Sequence, residues 1–165
     1  MSNNKTDALN FVRREGPVQP SQLATELNTN ILFASAILSE LVSGKEVKIT
    51  TVKKGGSPFY YVKGQEVKLE SLSSFLTGKP LEAFQLLKDK KVIRDKFAEP
   101  WQRVALRELK DFAIQLNVGL GGEYELFWKW YLTTTEDTKL LIKEIVRPNK
   151  KKVIKKDQEV SQKEN

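Results

Sequence analysis

QPSQLATELNTNILFASAILSELVSG, residues 19–44, is the stretch whose reading decides the fold. Pro20 suits a first helical turn, Leu23, Ala24 and Leu27 share one face of the helix that follows, and Asn28-Thr29-Asn30 interrupts it. Thr29 or Asn30 then caps a second apolar run whose inward positions are Ala34, Leu38 and Leu41, and which stops at Ser43-Gly44. Two helices joined by so short a polar turn form a helix-turn-helix unit.

Upstream, residues 7–14 set Ala8, Leu9, Phe11 and Val12 along one side of a further helix, ended by Gly16-Pro17. Downstream, VKITTVKKGGSPFYYVK (47–63) alternates Val47, Ile49, Thr51 and then Phe59, Tyr61 with polar positions, and Gly55-Gly56 permits a tight reversal. A two-stranded hairpin of this size does not hold itself together and must pack on the helices.

Three helices followed by a hairpin, with Leu23-Ala24-x-x-Leu27, Ala34, Leu38, Leu41, Val42-x-Gly44 and Val47 at their spacing, resemble the winged-helix domains of small bacterial and archaeal transcriptional regulators. The resemblance covers residues 8–63, about one third of the chain. It implies a DNA-binding regulator of transcription whose third helix enters the major groove while the wing flanks phosphates. Carried over to this chain, Asn30 would hydrogen-bond to adenine, and Phe33, Ala36, Ile37 and Glu40 would lie on or beside the outer face of the third helix. Phosphate contacts would come from Arg13, Arg14, Lys45, Lys48, Lys53 and Lys54, the last two beside Gly55-Gly56, where backbone can approach a phosphate closely.

The charge pattern opens a second reading. Residues 15 to 44 contain no Lys or Arg, so the helix expected in the groove brings no positive charge. An apolar outer face there, with Phe33 and Ile37 as anchors, suits another protein equally well, which makes an adaptor or structural subunit the alternative.

Residues 65–146 are expected to form an all-helical domain, so that the chain is mainly α with a small β wing. Helical spacing runs over 81–90, over 100–116 through Trp101, Ala105, Leu109, Phe112 and Leu116, over 123–132, and over 136–146 behind a Thr135 cap. On the helix over 123–132, Tyr124, Phe127, Trp128 and Tyr131 would share a packing face. Trp130, on another side, would be an exposed anchor for a partner. Self-association of this region as a homodimer is expected from its surplus of large apolar side chains.

Charge is uneven along the chain. Residues 1–64 carry eight basic and five acidic groups, residues 65–146 thirteen of each, and residues 147–165 seven and three, which distributes the net +7 to the two ends. The last segment, with Lys150, Lys151 and Lys152, has too little apolar sequence to fold alone and reads as a disordered basic tail adding phosphate affinity without sequence choice. The absence of cysteine and histidine removes disulfides, Cys/His zinc sites and histidine acid–base catalysis. No catalytic constellation or cofactor loop is legible, so no enzyme activity, metal or cofactor is expected. No run approaches a membrane span and no apolar export core follows Met1, from which a cytoplasmic location is expected.

Overall fold

The computed structural model describes residues 3–147. It opens with α1 (Asn3–Glu15), α2 (Pro20–Glu26) and α3 (Ile31–Ser43), followed by a hairpin of β1 (Lys48–Lys54) and β2 (Ser57–Tyr61). Helix α2 has Pro20 in its first turn, and the Gln22 side-chain oxygen reaches back to accept from the Gln19 N–H at 2.8 Å. Asn30 caps α3, its side-chain oxygen accepting from the Phe33 N–H at 2.7 Å. Ala8, Phe11 and Val12 of α1 meet Leu23 of α2, Ala34, Leu38 and Leu41 of α3, Val47 just ahead of β1 and Tyr60 of β2 in one core.

The remainder is not all-helical, which corrects the expectation for residues 65–146. A 3₁₀ stretch (Glu66–Phe75) and α4 (Gly78–Lys90) lead to a short strand β3 (Val92–Arg94) and a 3₁₀ turn (Asp95–Phe97). Helix α5 (Pro100–Glu108) ends well before residue 116. After it come β4 (Ala113–Leu120), β5 (Glu123–Trp130) and α6 (Thr135–Val146), the last capped by Thr134 rather than Thr135. Strands β3, β5 and β4 form an antiparallel sheet in that order. The physical reason is plain in the register. Eight consecutive pairs from Ala113↔Trp130 to Leu120↔Glu123 close on Gly121-Gly122, both with positive φ, the backbone that two-residue hairpin turns demand.

In a strand, side chains alternate, and this reassigns the aromatic residues. Trp128 and Trp130 point together into a second core with Phe84, Leu87, Ile93, Leu106 and Phe112. Trp130 is only 3% exposed and meets Phe84 edge-on at 5.2 Å, so it is a core residue and no anchor for a partner. Tyr124, near the far end of the hairpin, is 81% exposed. One buried carboxylate organises the approach to this core: Asp95 accepts from Arg107 Nη1 at 2.8 Å, Arg103 Nε at 3.1 Å and Trp128 Nε1 at 2.9 Å. Burial alone would raise its pKa, but the hydrogen bonds from Arg107 and Trp128 and the charges of Arg107 and Arg103 outweigh that and hold it below the ordinary carboxylate range.

The β1–β2 hairpin belongs to both cores. Tyr60, together with Val47 just ahead of β1, sits in the first, while Val52 and Phe59 sit in the second. Gln65 fixes the chain between them, donating to the Val12 and Arg13 carbonyls at 2.8 and 3.1 Å and accepting from the Val62 N–H at 2.9 Å.

Candidate nucleic-acid interface

Hairpin β1–β2 is irregular in its middle. Ile49 pairs with Tyr60 and Lys53 with Pro58, so the three residues Thr50, Thr51 and Val52 face Phe59 alone and the ladder is broken there. Two side chains satisfy the backbone groups this frees. Inside, the buried Thr50 hydroxyl accepts from the Phe59 N–H at 3.0 Å and donates to the Val52 carbonyl at 2.8 Å. Outside, the Asp111 carboxylate accepts from the Thr51 N–H at 2.8 and 3.0 Å and from the Val52 N–H at 2.8 Å.

Beyond the bulge the tip is braced a second time. Gln19 Nε2 donates to the Lys54 carbonyl at 2.8 Å and to the Ser57 carbonyl at 2.9 Å, tying the start of α2 to both sides of the turn. Gly55 and Gly56 have φ of 61° and 78°, and a Cβ built at either would meet nothing within 4 Å, so open space lies before the turn. Lys53 and Lys54 are exposed on its shoulders. Lys54 Nζ stands 5.4 Å from the Phe75 ring centroid, and Phe75 in turn stacks on Phe59 at 5.6 Å. The result is a held basic loop with an accessible backbone, able to present two ammonium groups and glycine N–H groups to an anion.

Other residues expected to contact nucleic acid divide into free and occupied groups. Arg13 and Lys45 are exposed, with no ion pair among the described residues. Arg14 is engaged by Glu26 at 3.0 Å and Glu15 at 3.3 Å, and Lys48 lies 3.8 Å from Glu66. Asn30 has committed its side-chain oxygen to the α3 cap, which removes the acceptor half of a bidentate contact to adenine. Lys150, Lys151 and Lys152 lie outside the described residues.

Helix α3 has an outer face different from the one its sequence suggests. Ile37 is only 7% exposed and packs in the first core with Ala34, Leu38 and Leu41, so it is a core residue. The physical reason is the width of the apolar stripe: positions 34, 37, 38 and 41 fall within one inward arc, leaving Ala36, Ser39 and Glu40 outside. Exposed apolar surface gathers instead in the first turn, where Leu32 is 82% and Phe33 45% exposed beside an exposed Ile31.

Gln19, Asp111 and Phe75 support this interface and were not legible as its parts. Asp111 acts across 60 residues of chain, and no local spacing announces such a contact. Among the described residues, no helix is long and apolar enough to cross a membrane. Comparison with protein-family models finds no match, and comparison with curated proteins likewise finds none.

Proposed function

We infer that this chain is a cytoplasmic nucleic-acid-associated protein of winged-helix type that grips duplex DNA mainly through phosphates, with the β1–β2 tip as its rigid contact. The observation that carries this reading is the pair of braces, Gln19 and Asp111, that hold Lys53-Lys54-Gly55-Gly56 in an open, exposed turn. A pre-ordered cation pair loses less side-chain and backbone freedom on binding than a floppy tip would. Helix α3 contributes little base readout in this reading, because it has no basic residue and its capping Asn30 is occupied. Affinity with little sequence choice follows. Control of transcription by occupying DNA is the role that the winged-helix resemblance adds.

Fluorescence anisotropy with a labelled duplex between about 50 and about 200 mM salt tests it, since each phosphate contact contributes a slope of about 0.9 to log K against log salt. Replacing Lys53 and Lys54 together by Gln is expected to reduce that slope by about 1.8 and to weaken binding by roughly tenfold per lysine near 0.1 M salt. An unchanged slope, or no binding by the parent protein at low salt, refutes the reading.

The exposed Ile31-Leu32-Phe33 turn favours a second one, in which the start of α3 docks a protein. Leu32→Ser with Phe33→Ser would then abolish a partner complex while leaving helical signal and DNA affinity intact. Persistence of that complex counts against docking there.

A further inference from the structure

Strand β4 forms one edge of the β3-β5-β4 sheet along all eight of its residues. Edges of this length are ordinarily defended by charges, proline or bulges, because their free N–H and C=O groups recruit other strands. Ala113-Ile114-Gln115-Leu116-Asn117-Val118-Gly119-Leu120 contains no charge and no proline, in a chain that is 30% charged, and its pairing with β5 shows no register shift. The opposite edge, β3, is only three residues long and lies against α6.

The direction of the free backbone groups follows from the turn. A two-residue turn closes on a hydrogen-bonded pair, here Leu120↔Glu123, so Leu120, Val118, Leu116 and Ile114 spend their backbone groups on β5. The Tyr131 N–H bond to the Phe112 carbonyl, 2.9 Å, continues that alternation. Gln115, Asn117 and Gly119, all exposed, therefore aim their N–H and C=O groups away from the sheet.

We propose that β4 pairs antiparallel with β4 of a second copy about a two-fold axis at Asn117, joining two three-stranded sheets into one of six. This register sets Asn117 opposite itself and Gln115 opposite Gly119 of the other copy, the pairs whose outward groups are free. Centring on Leu116 instead would oppose Gly119 with Ala113, whose N–H already goes to the Leu109 carbonyl at 2.7 Å. On one face the same register brings Ile114 against Leu120 and Leu116 against Val118, joining two half-exposed apolar stripes across the axis.

The charges agree with a second copy as the occupant. Lys129 lies opposite Ile114, and Glu123 opposite Leu120, within each hairpin. The two-fold therefore puts no like charges in one cross-strand row: Lys129 of one copy, its Nζ held by its own Thr133 carbonyl at 2.7 Å, shares a row with Glu123 of the other, about 14 Å away at three strand spacings. Because each copy has, among the described residues, one long free edge, the assembly closes at two.

Sedimentation equilibrium on the full chain is expected to give about twice the 18.9 kDa monomer mass. Proline is tolerated at an edge position whose N–H faces solvent, so Asn117→Pro is expected to keep the parent's far-ultraviolet circular dichroism spectrum while raising the dimer dissociation constant by about tenfold or more. Single cysteines in this cysteine-free chain report the register. In Asn117→Cys the two Cα atoms would stand about 5.5 Å apart, within disulfide reach, whereas in Gln115→Cys they would be separated by about 14 Å. Mild oxidation should link the first and leave the second monomeric on a non-reducing gel, a readout that holds even if the proline variant folds poorly. A monomer at every concentration, or a dimer in which Asn117→Cys fails to cross-link, overturns the proposal. Neither result bears on the DNA reading, whose tip lies elsewhere in the chain.

Discussion

Replacing Asp111 by Ala removes the outer brace of the β1 bulge and leaves two backbone donors without a protein acceptor. The carboxylate accepts from Val52 N–H at 2.8 Å, where Val52 is buried, and from Thr51 N–H at 2.8 and 3.0 Å, where Thr51 is exposed. Charge-assisted hydrogen bonds contribute roughly 1.5–3 kcal/mol each, and water can take over at Thr51 but only in part at Val52. The expected loss is about 2 kcal/mol, of which Val52 accounts for most. For the 145 described residues, 3–147, this lowers the melting temperature by about 7 °C. Thermal denaturation followed by far-ultraviolet circular dichroism measures it. Hydrogen exchange adds a local readout, since the Thr51 and Val52 amides should lose protection first. Asp111→Asn keeps one acceptor oxygen and is expected to lose about half as much. A melting temperature within about 1 °C of the parent, with both amides still protected, would show that the bulge is held by Thr50 and packing alone.

Asp95→Asn breaks a buried carboxylate away from two partly exposed guanidiniums, at an expected cost of about 2 kcal/mol once solvent screening of Arg103 and Arg107 is allowed for. Because the folded Asp95 holds its proton less tightly than the unfolded one, its contribution is present above the ordinary carboxylate pKa and is lost as pH falls through the lowered folded value. Urea titrations down the acid range should show that loss in the parent and a shallower one in the variant; identical slopes refute the assignment. Gly16→Ala would bring a Cβ to 2.5 Å from both the Val12 carbonyl and Gln65 Oε1, and is expected to cost about 2 kcal/mol. Because Gln65→Ala by itself removes the hydrogen bonds to Val12, Arg13 and Val62, the clash is read from a double-mutant cycle: Gly16→Ala should cost less in the Gln65→Ala background than in the parent, yet still something because the Val12 carbonyl remains, and an equal cost in both backgrounds would be inconsistent with the Gln65 contact. Ile37→Ser should destabilise by about 3 kcal/mol while Phe33→Ser stays within about 0.5, by the same melting measurement; equal losses would contradict their different burial.

The end of α1, helices α2 and α3 and the hairpin lie where capping residues, proline and paired glycines signal them, because those are local effects of backbone geometry, whereas α1 begins at Asn3, four residues ahead of its expected start at residue 7, where no such signal stands. Residues 109–130 misled for an equally physical reason. Leu109, Phe112 and Leu116 continue the three-and-four spacing of α5, yet only the part up to Glu108 is helical. From Ala113 the chain alternates instead, and Gly121-Gly122 between two eight-residue runs is the same turn chemistry as Gly55-Gly56. In β5, aromatic residues at 124, 127, 128 and 131 fit one helical face by spacing, but aromatic enrichment beside a glycine pair also suits a strand. Trp130 changed sides because its segment has the period of a strand and not of a helix, whereas Ile37, on a helix in both cases, turned inward because the apolar stripe of α3 is wide enough to take in position 37. For the interface, Lys53, Lys54 and the turn glycines were legible, whereas Gln19, Phe75 and Asp111 reach it through tertiary contact.

The hairpin shared by two cores sets an order of events on the ribosome. Residues 3–61 emerge with their three helices and both strands, yet Val52 and Phe59 lack Leu106 and Phe112, and the bulge lacks Asp111, until some fifty more residues are made. At about 5–20 residues per second that interval lasts roughly 3–10 seconds. During it the nascent chain carries an apolar strand face and two unanswered backbone donors, which is the kind of surface a chaperone holds and a neighbouring nascent chain captures.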